Sequence, residues 1–302
     1  MINGIINVYK EKGFTSHDVV AKLRGIIKQK KIGHTGTLDP DAEGVLPVCL
    51  GNATKLCDML TERDKIYEAV LLLGFTTDTQ DISGTVLNTS EVTADREQIE
   101  KAIFSFVGDY NQLPPMYSAI KVGGKRLYEL AREGKEIERE TRKVRIHNIR
   151  ILDFNVEKHE IRISVECSKG TYIRTLCHDI GAFLGCGGCM KSLLRTKAGA
   201  FSLEKSLKLS EIQDAFVQDR LQNYIIKVDD MFPDYPQIIV SEEYTKLIYN
   251  GNSFYKEQIK EETVVNYDNN RKLRVYDWQY QFIGIYEYVF KEKVFKPVKM
   301  FL

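Results

Sequence analysis

Residues 33–50, GHTGTLDPDAEGVLPVCL, constrain this chain more than any other stretch. Pro40 forces the residue before it into extended geometry, so Asp39 cannot be absorbed into a helix. Gly33, Gly36 and Gly44 permit tight backbone turns and the close approach of another segment. The run VLPVCL that follows reads as a buried strand. Any fold that accommodates the segment must deliver an acidic side chain from a glycine-rich loop that leads straight into the core. The loop is built to present a carboxylate.

Spacing alone leaves four readings of that loop open. Asp39, Asp41, Glu43 and Gly44 imitate the first, third, fifth and sixth positions of a calcium-binding EF-hand loop. The twelfth position, where a bidentate Glu belongs, is Leu50, and a strand replaces the exiting helix. GHTGTLD lacks the Gly-Lys-Ser/Thr ending of a phosphate-binding P-loop. Asp39 and Asp41 in an extended segment would stand roughly 6–7 Å apart, near the separation in inverting glycosidases, yet adjacent residues rarely flank a bond from opposite sides. The fourth reading is a polar turn whose aspartate caps the next element.

Around the loop the pattern alternates between strands and helices. NGIINVY (3–9) reads as a strand. Thr15 or Ser16 can cap a following helix whose apolar face is Val19, Val20, Leu23, Ile26 and Ile27. ATKLCDMLTE is a short helix, and KIYEAVLLLG a strand ended by Gly74. REQIEKAIFSFVG is a helix closed by Gly108, and KRLYELAREG another with Gly134 past its end. Residues 141–154 and 160–167 alternate as two strands. TYIRTLCHDIGAFLG is a helix ending at Gly185. Composition shifts at MFPDYPQ (231–237), after which short alternating strands rich in Tyr, Phe and Val follow. The expectation is α+β, with a main domain over 1–234 and a small β-rich domain over 235–302.

Of the 302 residues, 43% are apolar and 28% charged, which excludes a disordered chain. No apolar run reaches the roughly 18 residues a membrane span needs. The start, MINGIINVYKEKG, lacks a basic region followed by a long apolar stretch, so no secretory signal is expected and the location is read as cytoplasmic. The six cysteines are then read as reduced thiols. Net charge is +1 but uneven. Residues 121–150 hold ten Lys or Arg against five Glu, and residues 210–245 hold eight acidic against two basic groups. A local basic segment can steer phosphates even in a neutral protein, although it also fits a solvated strand pair.

GHTGTLDPDAEGVLPVCLGNATKL resembles the catalytic motif of the TruB family of tRNA pseudouridine synthases. Four further blocks resemble that family in the same order: KGFTSHDVV, DKIYEAVLLLGFTTDTQDISG, QLPPMYSAIKVGGKRLYELAREG and CSKGTYIRTLCHDIG. Together they run from about residue 4 to residue 205. The resemblance implies a mixed, mainly antiparallel sheet flanked by helices around a cleft. It implies conversion of uridine 55 in the T arm of tRNA to pseudouridine, with no cofactor and no metal, by a protein read as a monomer. The β-rich tail resembles, more weakly, a PUA-like module that docks on the acceptor side of tRNA.

Residue by residue, the resemblance implies Asp39 as the essential carboxylate and Arg174 as the arginine paired with it. It implies Tyr67 as the stacking tyrosine and Tyr172 as a second tyrosine of the site. His34 would contact RNA near the flipped nucleotide, Leu193 would line the uracil pocket, and Asp81 would lie in the same cleft. A recognition insertion over roughly 120–150 would bring Lys121, Lys125, Arg126, Arg132, Arg142, Lys143 and Arg145 to phosphates, with Tyr117 and Tyr128 between them. These types suit the task. A base inside a folded loop must be extruded, and stacking on an aromatic face offsets about 1–3 kcal/mol of that cost. A buried carboxylate needs a guanidinium, which stays charged when buried and offers two donors. Tyr172 and Arg174 both reach one cleft only if the start of their helix is distorted.

The chain departs from the family pattern at Glu11, which follows Lys10 where a proline is usual, and at Asp41 and Glu43, which replace small neutral residues. Cys177, His178, Cys186 and Cys189 also allow a zinc reading, against which a helix end and buried thiols are preferred. His17, His147 and His159 read as surface or packing residues. Two rival functions remain: a tRNA-folding factor that only binds and releases RNA through the same cleft, and, more remotely, a hydrolytic nucleosidase.

Overall fold

The computed structural model describes residues 1–261 and 271–302. In chain order the first part contains β1 (Gly4–Lys10), α1 (Ser16–Ile27), β2 (Ile32–His34), β3 (Glu43–Leu50), α2 (Cys57–Thr61), β4 (Lys65–Leu73), β5 (Phe75–Thr77) and β6 (Val86–Thr89). It continues with α3 (Arg96–Phe104), β7 (Gly108–Gln112), β8 (Lys121–Val122), β9 (Lys125–Arg126), α4 (Leu127–Arg132), β10 (Arg142–Asn155) and β11 (Glu160–Cys167). Then follow α5 (Ile173–Phe183), β12 (Gly188–Ala198), β13 (Phe201–Ser202) and α6 (Leu209–Val217).

Nine of these strands form one sheet in the order β1-β3-β12-β4-β11-β10-β7, with β2 on β3 and β13 on β12. Its pairs are antiparallel except β3 with β12. This is the mixed, mainly antiparallel sheet the sequence leads one to expect. A second sheet runs β15-β19-β18-β17-β14-β16, made of β14 (Gln237–Val240), β15 (Phe254–Tyr255), β16 (Ile259–Glu261), β17 (Lys272–Tyr276), β18 (Phe282–Val289) and β19 (Val294–Met300). Among the described residues no helix is long and apolar enough to cross a membrane.

Local chemistry explains the elements that hold the site. Thr15 is the N-cap of α1: its hydroxyl accepts from the Asp18 amide and the Asp18 carboxylate accepts from the Thr15 amide. The apolar face of α1 (Val19, Val20, Leu23, Ile27) packs on Ile6, Val8, Leu46 and Val48 of β1 and β3 and on Leu209 and Ile212 of α6. Burying one such side chain contributes about 1.5–3 kcal/mol. β1 would expose a sheet edge, but the edge is covered by chain returning at Leu207 and Ile226. β4 alternates strictly, placing Lys65, Tyr67, Ala69, Leu71 and Leu73 inward. α3 and α5 close that face with Ile99, Ile103, Leu176 and Ile180.

α3 and β12 differ from the sequence reading. α3 ends at Phe104 rather than near Gly108, and Gly108, at φ +113°, opens β7 instead. β12 runs through the middle of the sheet, where the sequence suggested only a helix end and turn. Two register shifts, at Met190/Ser192 and Arg195/Lys197, break its period of two and hide it from pattern reading. Gly44 is required where β3 meets β12: its φ is +104°, and a Cβ there would lie 2.3 Å from the Arg195 carbonyl oxygen.

Candidate active site

The glycine-rich loop between β2 and β3 is fixed from three sides. The buried Lys10 ammonium donates to the carbonyls of Pro40 at 3.0 Å and Ala42 at 2.6 Å. Lys10 is held by these carbonyls although Glu11, not proline, follows it. Ser16, the first residue of α1, accepts from the Leu38 amide at 2.9 Å. The Thr35 amide donates to the Pro47 carbonyl at 3.1 Å. Asp39 is the residue between these anchors. Asp41 is exposed, and Glu43 accepts from the Tyr9 hydroxyl at 3.0 Å.

Arg174 meets Asp39 with two nitrogens, Nε to Oδ2 at 3.0 Å and Nη2 to Oδ1 at 3.4 Å. The arginine side chain is 6% exposed and the aspartate 39%, so one face of the carboxylate stays open. The same guanidinium donates to the carbonyls of Thr79 at 3.0 Å and Tyr117 at 2.7 Å and lies 3.8 Å from Asp81. Asp81 is itself held by Thr79 and Ser83 through its other oxygen. Burial pushes the Asp39 carboxyl above its ordinary value of 3.8; Arg174 and Lys10 pull against it, and Asp81 adds to the rise. Desolvation therefore wins over the guanidinium, where the sequence left their balance open.

Tyr172 and Arg174 reach one cleft because the helix starts later than its sequence suggests. Tyr172 is the residue before α5, extended at φ −95° and ψ 107°, and only Ile173 onward is helical. The Gln112 side chain brackets the Tyr172 backbone, accepting from its amide at 2.7 Å and donating to its carbonyl at 2.9 Å. Burial pushes the Tyr172 phenol up, while Arg142 and Arg174 act in the opposite sense.

Tyr67 faces the same interior as Leu38 and Leu193, in one apolar cluster. Leu193 stands opposite Ala69 in the β12–β4 register and Tyr67 opposite Arg195. Burial pushes the Tyr67 phenol up; the Arg195 charge beside it lowers it, and Asp39 contributes a smaller rise. His34 ends β2, and its ring meets that of His17 edge-on at 5.2 Å. Its Nδ1 is buried and without a partner. Burial, then the charge of His17, moves the imidazole below 6.5. His17, read as a surface or packing residue, is exposed but touches a candidate site residue.

The seven cations of the insertion do not converge as the carboxylate and its partners do. Lys125 pairs with Glu133 at 2.7 Å, Lys143 with Asp109 at 2.8 Å and Arg145 with Asp109 at 3.4 Å. Arg126 and Arg132 lie over the Tyr128 ring. Lys121 is exposed in a two-residue strand. Arg142, at the start of β10, is near enough to act on the Tyr172 phenol. Residues 142–155 belong to the main sheet through β7 and β11.

Sequence reading missed four residues: Lys10, Ser16, Gln112 and Arg195. Lys10 carried a weak signal, a long cation at the end of an apolar strand, whereas Arg195 lies in β12, whose alternation two register shifts break. Gln112 and Ser16 carried none, since their partners are 60 and 22 residues away. Cys177 and Cys189 are buried, and burial pushes both thiols up, to about 11 for Cys189. Among the described residues no three His, Cys, Asp or Glu side chains are grouped to hold a metal ion.

Comparison with known proteins bears on this arrangement. The model of the TruB family pseudouridylate synthase N-terminal domain matches residues 24–173, and that of the tRNA pseudouridylate synthase B C-terminal domain matches residues 174–232. The chain is 56% identical over 307 residues to tRNA pseudouridine synthase B of Lachnoclostridium phytofermentans, spanning 100% of both. It is 46% identical over 301 residues to the protein of that name from Clostridium kluyveri, again spanning 100% of both. Among solved structures it resembles a chain of a Cbf5-Nop10-Gar1 complex, with TM-score 0.71 and 24% identity over 99% of this chain and 85% of that one. A chain of an H/ACA RNP bound to a substrate RNA containing 2'-deoxyuridine gives TM-score 0.70 at 22% identity, covering 99% and 85%. At these identities the likeness shows a shared fold.

Proposed function

This chain belongs to the TruB family of pseudouridylate synthases, and on that premise we propose that it isomerises a uridine of tRNA to pseudouridine with Asp39 as the acting carboxylate. The observation that carries the residue assignment is the two-nitrogen contact between the buried Arg174 and a half-open Asp39. Asp39 is pushed toward neutrality by burial, and the guanidinium keeps the ionised form accessible while leaving one face free for a substrate.

The target is uridine 55 of the T arm. It is flipped out and held with its ring against Tyr67, with Leu193 as an apolar wall and Tyr172 and His34 at the rim. The bond between N1 and the sugar breaks, the uracil turns while retained, C5 joins the sugar carbon, and C5 gives up its proton while N1 takes one up. Asp81 serves the site through Arg174. The cations of residues 121–145 approach tRNA phosphates, and the β-rich segment from 235 onward acts as a separate PUA-like RNA-binding domain after a catalytic domain of 1–234. The protein works as a monomer in the cytoplasm.

A folding factor that only binds tRNA has no use for a desolvated carboxylate beside a polyanion, so the site's electrostatics support the enzyme. The test is incubation with unmodified tRNA transcript and mapping of the product nucleotide. Pseudouridine at position 55 is expected. An abasic site would instead mean a nucleosidase, and unchanged RNA a binding protein.

A further inference from the structure

Arg195 is the bulkiest fully buried side chain among the described residues, 1% exposed. It sits in the middle of β12, opposite Tyr67 of β4 and beside Gly44 of β3. Its Nε donates to the Val45 carbonyl at 2.7 Å, and its Nη2 has no hydrogen-bond partner. Nη1 lies 3.9 Å from where a Cβ would project at Gly36, inside the glycine-rich loop. No Asp or Glu among the described residues forms an ion pair with it. Lys10 and Lys65, both buried, are close enough that its charge acts on them.

Taking an unneutralised guanidinium out of water is costly, and the single bond from Nε does not by itself call for a charge. The tie to β3 uses one nitrogen of the group, Nε, and leaves Nη2 without a partner. What the charge does have is a location: Arg195 stands opposite Tyr67 across β12 and β4, near enough to the polar end of that side chain to act on its phenol. In the isomerisation, negative charge develops on the uracil as its bond to the sugar breaks. A fixed cation in a dry wall stabilises such charge without reorganising.

We propose that Arg195 is a positioning residue of the isomerase site: it anchors the polar end of Tyr67 and sets a permanent positive charge beside that hydroxyl, so that the tyrosine favours the uracil once it carries negative charge. The inference rests on the isomerase reading and deepens it. Arg195 is buried, so it acts through Tyr67 rather than by touching RNA.

The test uses full-length Arg195→Met and Arg195→Lys, each alone and combined with Tyr67→Phe, on unmodified tRNA transcript, with single-turnover rate, KM and Tm measured. Arg195→Met is expected to slow the reaction roughly 10- to 100-fold, below the 10²–10³ of a donor that touches the reacting atoms, with KM within about 2-fold of wild type. Arg195→Lys keeps the charge and recovers at least about a third of the wild-type rate. In the Tyr67→Phe background the Arg195→Met effect shrinks to under about 3-fold. A wild-type rate in Arg195→Met overturns the inference, as does a loss of equal factor with and without the Tyr67 hydroxyl, or an Arg195→Lys no faster than Arg195→Met. If Arg195→Met does not fold, the Arg195→Lys rate and its cycle with Tyr67→Phe decide by the same criteria. Absence of turnover in the wild-type protein overturns the isomerase reading and this inference together, whereas wild-type turnover with an unimpaired Arg195→Met overturns this inference alone.

Discussion

The Asp39 loop and the basic segment at 121–145 both carry charges assigned to one RNA, yet the fold holds them in opposite ways. Asp39 stands in a loop tied by Lys10, Ser16 and Thr35, against an arginine that is buried and meets two carboxylates and two carbonyls. Lys125, Lys143 and Arg145 are solvated, and each rests on an exposed carboxylate, Glu133 for the first and Asp109 for the other two. A group that does chemistry must sit within a fraction of an ångström of its target, so its neighbours over-determine it. A group that meets a phosphate works through charge at longer range and can be replaced by its neighbours. The first kind of residue should fail alone and completely, the second only in sum.

The contrast is broken or kept most sharply at Asp39. Asp39→Asn should lower the rate by on the order of 10⁴ or more, the scale of removing a nucleophile, while tRNA binding stays micromolar or tighter. Because burial disfavours the charged carboxyl in the folded state, the same variant should have an unchanged or slightly higher Tm at pH 7. A rate near wild type would remove Asp39 from the chemistry.

Next in size is Arg174. Arg174→Lys keeps the charge but loses the fork, and should slow turnover by roughly 10²-fold. It also leaves the Thr79 and Tyr117 carbonyls short of a donor, costing about 3 kcal/mol in a urea unfolding titration. Loss of activity without loss of stability would mean that the guanidinium is not the clamp described.

The pH dependence of kcat/KM sharpens the comparison further. Asp39 must be ionised to act, and its folded value lies above 3.8, so activity should fall with decreasing pH through a limb above that value. The sign is opposite for stability: a raised carboxyl favours the fold at low pH, and this contribution is lost as pH rises through the folded value. A limb below 3.8 would show that Arg174, not burial, dominates the site.

The smallest single effects belong to the insertion. Lys125→Ala, Lys143→Ala or Arg145→Ala should each weaken tRNA binding a few-fold, leave Tm unchanged, and reduce the slope of log affinity against log salt by about 0.7–0.9 if one phosphate contact is lost. A change in kcat at constant binding would move that residue from the second kind to the first.

How much was legible varied with the range of the interactions. The loop's function as a carboxylate platform came from Pro40 and three glycines, whose constraints are local. α1 was readable from its period and cap, and β4 from strict alternation that sends Tyr67 inward. β12 was not readable, because two bulges disturb its alternation. The late start of α5 was not readable either: Gln112, from a strand 60 residues earlier, holds the Tyr172 backbone extended.

The sequence by itself determined which residue types stand where backbone sterics leave few choices: the extended Asp39, the glycines beside it, the apolar faces of helices and strands. It also determined the family, through blocks long enough to be matched in order. Only the tertiary structure decided that Arg174 is buried and forked onto Asp39, that burial outweighs this partner in setting the carboxyl, and that Arg195 lies buried and without an ion pair opposite Tyr67. The physical reason is that desolvation and charge pairing depend on which distant segments exclude water together, and a one-dimensional pattern does not hold that information.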